Sequence, residues 1–173
     1  INKLLIQKII NNKNILMSEI NLRENKLPHR YEMFCKINNF NFINDSKSTN
    51  FDSTRYALKM TSNSILILGG LLKKGDNFFL KDFQNKIVKI YLFGNNIDEL
   101  KKSLKKQKIN YSYFLNLEDL LRYILIKDFK KLLNKKKNFN ILFSPGAASF
   151  DQYKNFEERG KIFKKYVYKF FKR

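Results

Sequence analysis

Short apolar runs alternate with helical patterns along most of the chain. Three runs, at residues 65–68, 87–93 and 141–143, have the length and composition of buried parallel strands. Apolar residues at helical spacing lie between these runs, around 97–104 and 117–133. Strands that alternate with helices predict an α/β, Rossmann-like fold, with a largely parallel sheet and helices on both faces.

Two further segments precede the first of these runs. Over residues 31–37, apolar and polar side chains alternate, as in a half-buried strand. Asn38 and Asn39 can turn the chain back into a second strand at 40–43, which predicts an N-terminal β-hairpin. Residues 1–26 carry a short apolar helix pattern and then a polar, Asn-rich connector.

The segment 144–160 joins the last apolar run to a C-terminal helical pattern. Pro145 breaks the strand, and Ser149 followed by Gln152 fits a capping box, so the helix is predicted to begin at Ser149. Ser149 and Phe156 would then share one helical face, next to the N–H groups of the first turn. The hydroxyl, these N–H groups and the aromatic ring would converge on one spot in a cleft. The alternative interpretation is an ordinary, well-capped helix of an α/β domain without such a role. The apolar stripe of this helix consists of Tyr153, Phe156, Phe163, Val167 and Phe170.

Composition limits the class of protein. The chain has 173 residues, 43% of them hydrophobic, which is enough for one domain with a real core. No apolar run approaches the roughly 18 residues of a membrane span, and no signal peptide is visible. The single Cys35 cannot form an internal disulfide, which is compatible with a reducing cytoplasm. Because the first residue is Ile1, we expect a piece of a longer protein.

The net charge of +20 does not by itself indicate a nucleic-acid-binding protein. The lysines are spread over nearly every predicted helix and loop, and abundant Asn, Ile and Phe accompany them, as in a global compositional bias. There is no RNA-recognition signature, no zinc-ligand spacing and no clear helix-turn-helix pattern. Charge alone is a weak indicator of a partner, so nucleic acid is not expected to be the main one.

The loops after the strands are the predicted working edge. Each apolar run ends in a turn that contains glycine, and in open α/β sheets ligands bind beyond the carboxyl ends of the strands. Cations and hydroxyls dominate these loops, which suits an anionic ligand with carboxylates or phosphates. There is no nucleophile elbow and no phosphate-binding loop, so the main phosphate cradle for any ATP must lie elsewhere. The polar loop residues are Asp45, Ser46, Lys47, Thr49, Lys73, Lys74 and Ser149.

Four ordered motifs resemble the C-terminal part of the Mur ligases. They are Leu-Pro-His-Arg-Tyr-Glu at 27–32, Ile-Asn-Asp-Ser-Lys-Ser-Thr-Asn at 43–50, Leu-Gly-Gly at 68–70 with Lys73, and the segment 142–160. Within the last motif, Ser-Phe-Asp-Gln-Tyr-Lys-Asn-Phe-Glu-Glu-Arg-Gly is most similar to the branch that adds D-glutamate to UDP-N-acetylmuramoyl-L-alanine. Four motifs in the right order are far more specific than any one of them.

The resemblance implies a three-domain enzyme of peptidoglycan synthesis, and thus of cell-wall growth, shape and division. Residues 1–26 would be the end of the central ATP-binding domain and a linker, and 27–173 the C-terminal, amino-acid-binding domain. ATP would phosphorylate a substrate carboxylate, and the D-glutamate amine would attack the acyl phosphate. The ATP loop and the Mg²⁺ ligands would lie in the central domain, with no metal ligand in this chain. We therefore expect an inactive isolated chain, cytoplasmic and monomeric.

The resemblance also implies roles for individual residues. Arg30 would reach an ATP phosphate, and Asp45 would accept hydrogen bonds from the ribose hydroxyls. Lys47, the catalytic candidate, would lie near the reacting carboxylate and its phosphate. Thr49, Lys73, Ser149 and the backbone near Phe156 would hold the two carboxylates of D-glutamate, which need several donors and at least one cation.

Structural roles compete with each of these assignments. Asp45 and Thr49 suit turns and caps, Lys73 and the adjacent Lys74 suit a solvated loop, and Phe156 suits a core. The choice between the two lysines stays open, and the lone His29 is expected to be packed or capping. At the level of function, the alternatives are another Mur ligase, an enzyme that adds glutamate to a folate, or a basic α/β binding domain without activity.

Overall fold

A single mixed sheet organises the chain. The computed structural model describes residues 17–19, 27–73, 75–76 and 78–171; the helix pattern predicted near the N-terminus and Lys74 lie outside them. The strand order is β1-β2-β3-β7-β4-β5-β6, and every neighbouring pair from β3 to β6 is parallel. The strands are β1 (Met17–Glu19), β2 (Glu32–Ile37), β3 (Phe40–Asn44), β4 (Ser64–Gly69), β5 (Ile87–Phe93), β6 (Ser112–Phe114) and β7 (Phe139–Phe143).

The N-terminal hairpin extends the parallel part of the sheet at one edge. Strands β2 and β3 pair antiparallel, with Ile37 opposite Phe40, so the chain turns through Asn38 and Asn39. Asn38 has φ 52°, a left-handed conformation that asparagine tolerates better than most residues. Strand β1 pairs antiparallel with β2. The predicted hairpin is confirmed.

Helices cover both faces of the sheet, as predicted. The long helical pattern at 117–133 is interrupted by a π-helical turn, Ile124–Asp128, and a 3₁₀ segment, Lys81–Lys86, precedes β5. The helices are α1 (Phe51–Met60), α2 (Asp98–Lys106), α3 (Leu117–Tyr123), α4 (Phe129–Leu132) and α5 (Phe156–Phe171).

The period-2 alternation of strand side chains separates two hydrophobic cores. Ile65 and Ile67 of β4 face the core built on α3, α4 and α5, whereas Leu66 and Leu68 face the core built on α1 and α2. All six residues of β4 are buried, as expected of a central strand covered on both sides. These features establish the predicted α/β, Rossmann-like class.

The predicted start of the last helix is wrong. Helix α5 begins at Phe156, and the Asn155 side chain accepts a 2.8 Å hydrogen bond from the Glu158 N–H. The Glu158 carboxylate in turn accepts from the Lys154 N–H at 2.7 Å, so the capping interactions lie six residues later than predicted. Ser149 lies in a turn, where its carbonyl accepts from the N–H groups of Gln152 and Tyr153.

Candidate functional site

Asp45 is the best-anchored polar side chain at the carboxyl edge of the sheet. It directly follows β3 and is 5% exposed. Its Oδ1 accepts a 2.9 Å bond from the Tyr31 N–H, and its Oδ2 accepts from the hydroxyls of Ser48 and, at 2.6 Å, Ser144. Burial nevertheless raises the pKa of Asp45, against the lowering effect of these bonds. A carboxylate offers about four lone-pair sites, so this arrangement leaves an acceptor position on Oδ1.

A surface pocket of about 260 Å³ opens beside Asp45. Arg30 and Lys47, which come from the loops before β2 and after β3, bring two cations to it. Tyr56 of α1 lines the pocket with its side chain 67% exposed, so an aromatic ring is presented to solvent. The pocket is lined by Arg30, Tyr31, Asp45, Lys47, Ser48, Ser53, Tyr56 and Ala57.

Lys47 connects this pocket to the start of α5. Its ammonium lies 5.4 Å from the centre of the Phe156 ring, and its backbone N–H donates to the His29 carbonyl at 3.0 Å. The Phe156 carbonyl accepts a 2.8 Å bond from the Ser46 hydroxyl. Phe156 is half-buried and does not belong to either core. The structure therefore brings Lys47 and Phe156 together.

Ser149 and Lys73 lie in two loops whose backbones are joined at Leu71 and Ala148. Leu71 and Ala148 exchange two hydrogen bonds, at 2.8 and 3.0 Å, which join the loop after β4 to the loop after β7. Ser149 is 2% exposed in this joint, while Lys73 is exposed and its N–H donates to the Asp76 carboxylate. The structure therefore buries Ser149 and leaves Lys73 exposed to solvent.

Thr49 lies on the other side of the edge, just before α1. Its N–H donates to the Lys47 carbonyl at 2.8 Å, and the next residue, Asn50, caps the helix by accepting from the Ser53 N–H. A cavity of about 430 Å³ adjoins this point, lined by Asn50, Phe51, Asp52, Arg55, Gly75, Asp76 and Phe79. Thr49, Lys73 and Ser149 are not among the residues that line it, so the cavity does not unite the three.

His29 is packed, as expected. It is 5% exposed, its Nδ1 lies 2.9 Å from the Asn44 amide nitrogen, and burial lowers its pKa. A Cβ on Gly160 would lie 2.3 Å from the same ring nitrogen, so glycine lets α5 approach the histidine ring.

Sequence reasoning missed Arg159, which is fully buried behind the site. A charged residue in a helix normally indicates a solvent-exposed face, because arginine is rarely buried unless it is paired. The only sequence signal was its position within the motif at 142–160, and the motif alone does not say where the side chain points.

The described residues show neither a cluster of metal-ligating side chains nor a membrane-spanning helix. Within them, no group of three or more His, Cys, Asp or Glu side chains is arranged to hold a metal ion. In the same part of the chain, no helix is both long and apolar enough to cross a membrane.

Comparison with known proteins identifies relatives over most of the chain. The chain is 41% identical over 141 residues to a UDP-N-acetylmuramoylalanine–D-glutamate ligase of Trichodesmium erythraeum. This match covers 80% of the chain and 29% of that relative. Ligases of the same name from Fusobacterium nucleatum and Wolbachia pipientis are each 39% identical; the matches cover 84% and 79% of the chain. No protein-family model matches.

The matched region is only part of each relative. It spans 33% of the Fusobacterium protein and 26% of the Wolbachia protein. The chain is homologous to the C-terminal part of the Mur ligases, and among them to the UDP-N-acetylmuramoylalanine–D-glutamate ligases.

Proposed function

We propose that this chain is the amino-acid-binding part of an ATP-dependent ligase that joins D-glutamate to UDP-N-acetylmuramoyl-L-alanine. In this reaction ATP transfers a phosphoryl group to the substrate carboxylate. The D-glutamate nitrogen then attacks the acyl phosphate, a C–N bond forms, and phosphate leaves with the C–O bond electrons. The other parts of the ligase supply the phosphate loop and the Mg²⁺ ligands, and we place the reaction in the cytoplasm.

The pocket beside Asp45 is the proposed nucleotide side. Arg30 is a permanently charged, planar donor suited to a phosphate, and the open acceptor position on Asp45 Oδ1 suits a ribose hydroxyl. The exposed ring of Tyr56 offers a face on which a base could stack. Two cations, one buried carboxylate and two tyrosine rings in one pocket of about 260 Å³ are the observation that carries the proposal.

The amino-acid side is proposed to begin at Lys47 and extend along the sheet edge. Lys47, near the Phe156 ring, would stabilise charge on the reacting carboxylate and its phosphate. Thr49, Lys73 and Ser149 would hold the carboxylates of D-glutamate, with the backbone near Phe156. The ammonium of Lys73 would turn toward the ligand when D-glutamate and the remaining domains are in place.

A chimaeric ligase tests the proposal. The chain replaces the corresponding C-terminal third of the Fusobacterium nucleatum ligase, and phosphate release is measured with each substrate omitted in turn. We expect release that requires ATP, D-glutamate and UDP-N-acetylmuramoyl-L-alanine together, and none from the isolated chain. The matched control is the Fusobacterium protein truncated at the same junction.

Other outcomes would separate the alternatives. A folded chimaera that uses another amino acid or a folate acceptor would assign the chain to a different ligase of the superfamily. A folded chimaera without activity, together with strong and steeply salt-dependent binding of nucleic acid by the chain, would support the basic binding domain instead.

A further inference from the structure

The buried side chain of Arg159 connects the loops that follow β3 and β7. It lies in α5 and is the largest fully buried side chain in the described part of the protein. Its Nε donates to the Ser46 hydroxyl at 3.0 Å, its Nη2 to the Ser46 carbonyl at 2.7 Å, and its Nη1 to the Ala147 carbonyl at 2.9 Å. One guanidinium thus fixes the backbones of the loops after β3 and β7.

The charge of Arg159 has no direct ion pair among the described residues. Burial lowers its pKa to about 10, so the guanidinium is still protonated at neutral pH, and the Asp151 carboxylate opposes the shift without bonding to it. Burying a charge is costly unless donors and acceptors are well matched. The three bonds to Ser46 and Ala147 are therefore the main compensation that the structure provides.

A third loop also packs on this guanidinium. A Cβ added to Gly70 would lie 3.0 Å from Arg159 Nη1 and 2.3 Å from the Ala148 carbonyl. Gly70 has φ 121°, so the loop after β4 combines a left-handed backbone with this close approach, and only glycine suits both. The loop continues to Lys73.

These loops carry proposed ligand residues next to their contacts with Arg159. Ser46 directly precedes Lys47, and its hydroxyl also donates to the Phe156 carbonyl. Ala147 is two residues before Ser149. In contrast, Asp45 is held by Tyr31, Ser48 and Ser144, none of which bonds to Arg159.

We propose that Arg159 is a positioning residue for the amino-acid side of the site. It holds the loops after β3, β4 and β7 so that Lys47, Lys73 and Ser149 face one ligand, while the Asp45 carboxylate of the nucleotide pocket keeps its own support. The inference rests on the proposed function for the identity of the ligand. The arrangement of the loops can be tested without it.

The first experiment is hydrogen exchange in the isolated chain carrying Arg159→Lys. Lysine keeps the charge, but its single nitrogen cannot span Ser46 and Ala147 as the guanidinium does. We expect the amides of Leu71 and Ala148, which bond each other across the two loops, to exchange about tenfold faster. The amide of Ile109, which bonds the Leu104 carbonyl just after α2 and outside these three loops, should change little. Arg122→Lys, at a half-exposed arginine paired with Glu118, is the matched control.

Two results would overturn the inference at this stage. Unchanged exchange at Leu71 and Ala148 would mean that Arg159 does not hold these loops. Equal acceleration at these amides and in the buried strand β4 would make Arg159 a general stabiliser of the fold. If Arg159→Lys does not fold, Ser46→Ala removes the hydroxyl that bonds both Arg159 and Phe156 and is expected to give the same pattern.

The second experiment places Arg159→Lys in the chimaeric ligase. We expect kcat to fall about 10- to 100-fold and the KM for D-glutamate to rise, since small displacements of positioned groups are costly, while the KM for ATP stays within about twofold. An inactive parent chimaera would count against the proposed function and leave the exchange result to decide on Arg159. An active parent whose Arg159→Lys variant keeps all three constants would overturn the positioning role alone.

Discussion

The two sides of the proposed site differ in how completely the described residues build them. On the nucleotide side, Arg30, Asp45 and Lys47 line one pocket, and three donors hold the buried carboxylate of Asp45. On the amino-acid side, Ser149 is buried in a joint between loops whereas Lys73 is exposed. The first side is preformed, and the second has its parts on adjacent loops without a common cavity.

This difference predicts on which side ligand binding costs more conformational free energy. A preformed pocket loses little conformational freedom when a ligand enters, whereas an exposed lysine must be immobilised and partly desolvated to make a charged contact. We therefore expect substitutions on the nucleotide side to act on the chemistry and on protein stability. Substitutions on the amino-acid side should act mainly on the KM for D-glutamate.

Lys47 lies between the two sides, and its removal should have the largest effect. In the chimaeric ligase, Lys47→Ala should lower kcat about 10²- to 10³-fold, the usual loss when a donor to developing charge is removed. Steady-state phosphate release measures this. Lys102→Ala, at an exposed lysine of α2 paired with Glu99, is the control and should leave kcat unchanged. A tenfold rise in the KM for ATP at constant kcat would assign Lys47 to the nucleotide pocket only.

Substitution of Lys73 tests whether the residues of the amino-acid side, which lie on separate loops, bind one D-glutamate. Lys73→Ala should raise the KM for D-glutamate about 10- to 150-fold, because a charge-assisted contact is worth about 1.5–3 kcal/mol, with little change in the KM for ATP. Lys74→Ala, tested in parallel, should have little effect. A reversal of the two results would move the carboxylate contact to Lys74, and small equal changes would return Lys73 to a solvated loop.

The sequence predicted the sheet better than the contacts between its loops. The strands that became β2, β3, β4, β5 and β7 were found because burial gives them continuous or alternating apolar patterns. Helix α1 was not predicted, although Thr49 was considered as a possible cap; the side chain that caps the helix is that of the next residue, Asn50. Strand β6, with three residues, is too short to show a period.

Contacts between distant loops were beyond the sequence. The Asp45 carboxylate meets Ser144, which lies 99 positions away, and Arg159 meets Ser46, which lies 113 positions away. No local pattern encodes such pairs, since they arise only when parallel strands align their ends. Ser149 was wrongly predicted as the cap: the residue before it, Ala148, pairs with the distant Leu71, and the side chain that accepts from the first turn of α5 is that of Asn155, six residues later.

Asp45 offers a test of the preformed side through pH. Burial raises its pKa above the usual value for aspartate, so the folded state favours the protonated form. Its contribution to stability is therefore largest below the unfolded-state pKa and decreases as pH rises through the folded-state pKa. Asp45→Asn should remove this decrease. In denaturant unfolding from pH 4 to 8, the free energy of unfolding of the parent should fall relative to that of Asp45→Asn as pH rises. The control is Asp98→Asn, at an exposed carboxylate, whose difference from the parent should stay constant over this range.

The smallest effects should separate a helix cap from a ligand contact within a few residues of each other. Asn155→Ala removes the side chain that accepts from the Glu158 N–H, so it should cost about 1 kcal/mol of unfolding free energy and leave the KM for D-glutamate unchanged. Ser149→Ala removes a buried hydroxyl that does not cap α5, so it should cost less stability and raise the KM for D-glutamate. Denaturant unfolding of the chain and kinetics of the chimaera measure the two quantities separately. If Ser149→Ala instead lowers stability as much as Asn155→Ala and spares the KM, Ser149 serves the fold alone, and the amino-acid side would rest on Thr49 and Lys73.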